Sequence, residues 1–245
     1  MDISPSRGAA EGAAAAKRAA AAVALDMVRD GMVLGLGTGS TAAIFVELLA
    51  ARMRADGLSV VAVPTSIATA AQAGGLGIPL TTLEAVAGLD LTVDGADELD
   101  GDLNLIKGGG GALLCEKIVA AASDRMVVIA DASKRVATLG RFPLPVEIVR
   151  FGAEATERRI AELLAVSAVG ATRLQRRRGE GGLFVTDEGH EITDLHLERI
   201  ADPPALEAAL ARVPGVVETG LFVAMADRAV IGAPDGSVAI LERPG

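Results

Sequence analysis

From Asp94 to Lys117 the chain reads DGADELDGDLNLIKGGGGALLCEK, six carboxylates and two lysines around four consecutive glycines in 24 residues. Carboxylates can act as bases, and an ammonium beside them can stabilise an anion formed in a reaction. Gly108–Gly111 let backbone N–H groups come close to an anion, and a helix starting after them would add its positive end. A second cluster, Gly35-Leu-Gly-Thr-Gly-Ser-Thr41, offers two hydroxyls and a Gly-x-Gly turn. It falls short of a dinucleotide fingerprint. Ser40 stands where the third glycine belongs, and the next strand ends in Val63-Pro64 rather than an acid. With no Walker lysine, the cluster suits a single phosphate bound by the amides of residues 38–41 and by the Ser40 and Thr41 hydroxyls, or a plain helix cap without ligand.

The elements that must position these residues alternate. Residues 11–30 read as a helix, Met32–Leu36 as a buried strand, and Gly37–Thr41 as a turn into a helix ending near Arg54. Leu58–Val63, Pro79–Leu83, Leu89–Val93 and Met126–Ala130 read as further strands, with a helix over Ser66–Ala73. Ala112 opens another helix, whose Leu113, Leu114, Ile118 and Val119 supply the apolar spacing. Alternation of this kind predicts a doubly wound, Rossmann-like α/β fold with a mostly parallel sheet. Asp94 and Asp97 then fall at a strand's C-terminal end, where such sheets bind ligands, although Asp also simply bends turns. Glu116 lies on a helix face with Ala112, Ala120 and Ser123, so it reads either as a functional acid or as a solvated neighbour of Lys117.

After Gly140 the texture changes. A strand through Glu147–Arg150, a helix over 153–165, a strand over 171–178, a hairpin pairing 183–186 with 191–195, a helix from Pro204, and a strand over 216–223 give, with the hairpin taken as one element, the order β-α-β-β-α-β. That order predicts a smaller ferredoxin-like α+β domain over 142–223, with residues 1–141 plus 224–245 forming the α/β domain. The run Arg176–Arg178 reads as a solvated strand end.

Composition narrows the function. A net charge of −9 and a pI near 4.8 disfavour a nucleic-acid surface. The single Cys115 rules out a disulfide framework or multi-cysteine metal site and reads as a small buried residue. His190 and His196 are too few and too separated for a metal site. No secretory signal is evident, and the charge-free run 57–83 is broken by Pro64, Pro79 and Gly74-Gly75, so the expectation is a cytoplasmic protein without a membrane span. Only four lysines stand against 19 arginines, and Lys107, Lys117 and Lys134 all flank the central motif or the strand end after it.

The segments GLGTGSTA (35–42), DGADE (94–98), NLIKGGGGAL (104–113), EK (116–117), ADASK (130–134), LGRFPLPVE (139–147) and PGVVETGLF (214–222) resemble, in the same order, the type A ribose 5-phosphate isomerases. The resemblance implies aldose–ketose isomerisation of a sugar phosphate through an enediolate, with no cofactor and no metal, in a subunit that forms homodimers or homotetramers. It implies that Glu116 is the base shuttling a proton between C1 and C2, that Asp94 and Asp97 handle hydroxyl and ring-opening protons, and that Lys107 steadies the enediolate. Thr38, Gly39, Ser40, Thr41, Gly95, Ala96, Gly108, Gly109, Gly110, Lys134 and Lys17 would complete the substrate site. A non-catalytic sugar-phosphate sensor of related fold is the alternative, and a nucleotide-dependent oxidoreductase is disfavoured by Ser40.

Overall fold

A computed structural model describes residues 7–166 and 173–244. Helix α1 (Arg7–Leu25) leads into β1 (Val33–Leu36), α2 (Ser40–Asp56), β2 (Val61–Pro64) and α3 (Ile67–Gly75). A 3-10 turn at Leu83–Ala85 precedes β3 (Leu91–Asp94), the short β4 (Glu98–Leu99) and β5 (Leu105–Ile106), α4 (Leu113–Ala121) and β6 (Met126–Asp131). Next come β7 (Leu144–Ile148), α5 (Ala153–Val166), β8 (Arg173–Arg176), β9 (Arg178–Gly179), β10 (Gly182–Leu183) and β11 (Glu191–His196). The chain closes with α6 (Pro203–Leu210), β12 (Val216–Thr219), β13 (Leu221–Phe222), β14 (Arg228–Gly232) and β15 (Val238–Glu242).

The main sheet has the order β15-β14-β6-β3-β1-β2. Every neighbouring pair is parallel except β14–β15. Its central strands read as continuous apolar runs because both faces are covered: Leu34, Leu36, Leu91, Val93, Val127 and Ile129 are buried with Phe45, Val46 and Leu49 of α2. From β1 the chain moves outward to β2, then crosses back to lay β3 on the other side of β1. The order therefore reverses between β1 and β3, and a crevice opens beyond their C-terminal ends, as the sheet geometry requires. Gly37 continues β1 with its N–H on Val93 O at 3.0 Å. A side chain there would overlap Asp94, so only glycine lets the two strand ends lie this close.

The β-α-β-β-α-β segment folds as expected into a four-stranded antiparallel sheet, order β12-β7-β11-β8, with its own core of Leu144, Val146, Ile148, Ile160, Leu195 and Leu210. Strand β13 leaves that sheet and joins β5 and β4 in a small antiparallel sheet between the two larger ones.

Several expectations are corrected. Pro79–Leu83 is not a strand; it contributes one bridge, Leu80 to Ala62, because Pro79 lacks an N–H to extend a ladder. The 183–186/191–195 hairpin reduces to the bridge Val185–Glu191. Both edges of β11 are occupied by β7 and β8, and β10 pairs with β9 instead. The strand over 216–223 breaks at Gly220, whose N–H bonds Pro145 O at 2.7 Å and whose carbonyl accepts from Lys107 N at 2.8 Å. Residues 171 and 172 of the strand expected over 171–178 lie outside the described residues. The apolar face of α4 is also not the expected one: Leu113, Glu116, Lys117, Val119 and Ala120 are buried, while Ile118 is exposed.

Candidate active site

Everything chemical in the central motif follows from where β3 ends. Asp94 is its last residue and is fully buried, and the β4–β5 hairpin then brings Lys107 back beside it. Lys107 Nζ lies 2.9 Å from Asp94 Oδ2 and 3.3 Å from Glu116 Oε2, and donates to Gly95 O at 2.7 Å. The Phe222 ring packs against the ammonium, its centroid 5.4 Å from Nζ. Asp94 Oδ1 accepts from Gly95 N at 2.7 Å and Thr38 N at 3.1 Å, which ties the β1 turn to the β3 end. Asp97 Oδ2 accepts from Gly109 N at 2.7 Å.

The charges are unequal in support. Burial raises the pKa of Asp94, opposed by Lys107 and by the two amide N–H groups. Burial and then the charge of Asp94 push Glu116 up to about 8, against the pull of Lys107. For Lys107, burial works against the charged form, yet Asp94 and Glu116 outweigh it and hold the ammonium's pKa above the ordinary lysine value. One ammonium cannot balance two buried carboxylates. Asp94 has two N–H donors on Oδ1 and the shorter ion pair, while Asp94 Oδ2 and Glu116 Oε2 both lack a hydrogen-bond partner. Burial thus raises both carboxyls, and Glu116, at about 8, is a titratable base with a pKa near the working range.

Asp97, Lys107 and Glu116 face a cleft with about 510 Å³ of empty space, counting the open mouth, whereas Asp94, also expected to touch substrate, is fully buried and does not line it. Lys17, Thr38, Gly39, Ser40, Thr41, Gly95, Ala96, Asp97, Lys107, Gly108, Gly109, Gly110, Glu116 and Lys134 line it. Helix α2 starts there, after Gly39, without a side-chain cap, and α4 starts after Ala112, beyond the glycine turn. The first-turn N–H groups of α2 are open to an anion. Lys17 Nζ donates to Ser40 Oγ at 2.9 Å, so a cation from α1 stands at the α2 N-terminus. The Thr38 amide, expected among the anion donors, is instead spent on Asp94, and the Thr38 hydroxyl sits within a network with Thr65 at 2.7 Å, Ser66 at 2.8 Å and Thr69 at 3.1 Å. That network comes from β2 and the start of α3, and no sequence signal joins it to the 35–41 turn.

Other acids of the motif build rather than react. Glu98 accepts from Gly140 N and Phe142 N, both at 2.7 Å. Asp100 closes the β4–β5 turn through Asp102 N, Asn104 N and Asn104 Nδ2. Lys117 points away from the cleft to Glu207 at 3.2 Å, Glu218 at 2.8 Å and Leu221 O at 2.7 Å. Cys115, expected to be buried, is half-buried; its Sγ donates to Glu188 at 2.7 Å, and burial with that acid raises the thiol to about 12. Arg176 pairs with Glu157 and Glu191, and Arg177 with Asp194, so the arginine run is not a freely solvated strand end. Among the described residues no group of three His, Cys, Asp or Glu is placed to hold a metal, and no helix is long and apolar enough to cross a membrane.

The family model for ribose 5-phosphate isomerase A (phosphoriboisomerase A) matches residues 61–236. The chain belongs to the ribose 5-phosphate isomerase A family. Ribose-5-phosphate isomerase A of Rhodopseudomonas palustris (strain BisB18) is 60% identical over 228 residues, covering 93% of this chain and 97% of the relative. The solved ribose 5-phosphate isomerase of Plasmodium falciparum is 39% identical with a TM-score of 0.87, covering 94% of this chain and 98% of that one. A D-ribose-5-phosphate isomerase solved in complex with phospho-erythronic acid is 37% identical, also with a TM-score of 0.87, covering 93% and 97% of the two chains. The α/β architecture of this isomerase family member is thus that of its solved relatives.

Proposed function

We propose that this enzyme interconverts D-ribose 5-phosphate and D-ribulose 5-phosphate, with Glu116 moving the proton between C2 and C1. The observation that carries the reading is the buried triad itself: a carboxylate poised near neutrality, 3.3 Å from an ammonium held charged by a second carboxylate, on the wall of an anion-ready cleft. Ionised Glu116 takes the C2 hydrogen of the open-chain aldose as a proton, and the electron pair moves into the C1 carbonyl to give a cis-enediolate. Return of that proton to C1, with transfer of the hydroxyl proton from O2 to O1, completes the ketose with no net change in atoms or electrons. Lys107 supplies fixed positive charge where the enediolate's negative charge develops, and it needs no reorganisation because Asp94 and Gly95 already hold it.

Asp97, half-buried at the cleft and oriented by Gly109 N, serves the proton movements of ring opening. The open helix N-terminus at Ser40–Thr41, with Lys17 and Lys134, reverses the repulsion that a net charge of −9 exerts on a sugar phosphate. The reaction so described uses no metal and no organic cofactor. It belongs to the non-oxidative pentose phosphate pathway, in a cytoplasmic homodimer or homotetramer, with residues 1–141 plus 224–245 as the catalytic domain and 142–223 as the smaller one.

Phospho-erythronic acid supports this as a matter of chemistry, since this acid, one carbon shorter than the substrate, carries a planar, delocalised carboxylate that copies the shape and charge of the enediolate. Incubation of the purified protein with ribose 5-phosphate and direct measurement of ribulose 5-phosphate tests the proposal. Formation of the ketose at enzymatic rates is expected; none at micromolar enzyme would refute it.

A further inference from the structure

Arg177 comes from the second, smaller part of the fold, between β8 and β9, and its guanidinium reaches the glycine turn at the cleft. Nη1 donates to Gly108 O at 2.7 Å and to Gly109 O at 3.2 Å. The guanidinium is itself fixed. Asp194 takes Nε at 3.0 Å and Nη2 through its other oxygen, and the Phe184 ring centroid lies 5.9 Å from Cζ. Phe184 occupies the space a side chain at Gly111 would need, and Gly111 has φ +88, so that position requires glycine for both packing and backbone.

The geometry of the peptide unit turns this grip into a consequence for the cleft. None of the peptide bonds of the described residues is cis, so each C=O and the following N–H point in opposite directions. Holding Gly108 O toward Arg177 turns Gly109 N–H the other way, where Asp97 Oδ2 accepts it at 2.7 Å. Holding Gly109 O toward Arg177 likewise turns Gly110 N–H away from Arg177, and Gly110 lines the cleft. The turn closes on itself through Gly111 N–H to Gly108 O at 3.0 Å, but Gly109 O has no such partner within the turn, and with no side chains on four successive glycines its peptide plane is held by Arg177.

We propose that Arg177 is a positioning residue: clamped by Asp194 and Phe184, it sets two successive peptide planes so that one N–H orients Asp97 and the next is presented to the enediolate. The inference rests on the isomerase reading above. It also gives the second sheet a part in catalysis. Arg is required rather than Lys, because one planar fork must serve two carbonyls and a carboxylate together.

The test compares Arg177→Ala, Arg177→Lys and Asp194→Asn with wild type and with Arg178→Ala, a substitution at an exposed neighbour outside the clamp. For each, kcat and KM for ribose 5-phosphate, inhibition by phospho-erythronic acid and thermal stability are measured. Loss of one preorganised oxyanion donor costs about 10²–10³-fold in kcat. Arg177→Ala is therefore expected to lower kcat by about 10²-fold and to weaken phospho-erythronic acid by a similar factor, with KM changed less than about threefold. Arg177→Lys should recover little of this, Asp194→Asn should fall between, Arg178→Ala should match wild type, and added guanidinium should partly restore Arg177→Ala. A kcat for Arg177→Ala within threefold of wild type, or a kcat loss without matching loss of inhibitor binding, overturns the proposal. Should Arg177→Ala not fold, Asp194→Asn decides by the same two readouts. A wild type without isomerase activity would defeat the functional reading and this inference with it, whereas an active wild type matched by Arg177→Ala defeats the inference alone.

Discussion

Replacing Glu116 by Gln removes the base while keeping its shape. With its pKa raised to about 8, Glu116 is mostly protonated at neutral pH, so the neutral amide resembles the state it replaces, and burial is not disturbed. Lys107 keeps its closer partner, Asp94, at 2.9 Å, and one ammonium then faces one carboxylate. The fold should therefore tolerate the change, and substrate affinity should move little. Turnover should not survive: general-base catalysis contributes about 10²–10⁴-fold, and loss of the only base can cost more. The wild-type pH profile carries a second, independent signature. A base with its pKa near the value of about 8 held by Glu116 is roughly one-tenth ionised at pH 7 and nine-tenths ionised at pH 9, so kcat/KM should climb about tenfold across that interval. Stability should move the opposite way. A carboxyl whose folded pKa lies above its unfolded value loses stabilisation as pH rises from its ordinary value of 4.5 through about 8, so wild type should become less stable relative to Glu116→Gln over that window. Coupled assay of ribulose 5-phosphate, with thermal unfolding at each pH, measures all three. A variant retaining more than about a tenth of the wild-type rate, or a wild-type kcat/KM flat from pH 7 to 9, would refute the assignment of Glu116 as the base.

Lys107→Ala should lower kcat far more than it changes KM, and should also destabilise the fold by about 3–5 kcal/mol, since two buried carboxylates lose their cation. Lys134→Ala, at a half-buried position on the cleft rim, should mainly raise KM with little loss of stability; equal effects of the two substitutions on both kinetic constants would refute this division. Excess EDTA followed by desalting should leave the rate unchanged, because Lys107 already occupies the position a cation would take among Asp94, Asp97 and Glu116. A loss restored by Mg²⁺ or Mn²⁺ would recast Glu116 as a ligand.

The alternation of apolar runs with glycine turns was enough to establish the doubly wound sheet, because a strand buried on both faces has to be apolar along its whole length. Val33–Leu36 and residues 126–130 carry that pattern plainly, while Leu91–Asp94 departs from it at the buried Thr92 and Asp94. Acids at a strand end followed by a glycine turn likewise marked the cleft, and the β-α-β-β-α-β order anticipated the second sheet. Short-range signals stopped where partners are distant in sequence. A helical wheel of α4 could not assign Glu116 to the buried face, since which face is buried depends on what packs there: Lys107 on one side, and Glu207, Glu218 and Phe222 around Lys117 on the other. Nor could the sequence raise the pKa of Glu116, because burial and the nearness of Asp94 exist only in the folded chain. Arg177 shows the limit most clearly. In sequence it is one of three adjacent arginines at a strand end; folding brings it to carbonyls 69 and 68 residues earlier, and only there does its planar fork acquire something to hold.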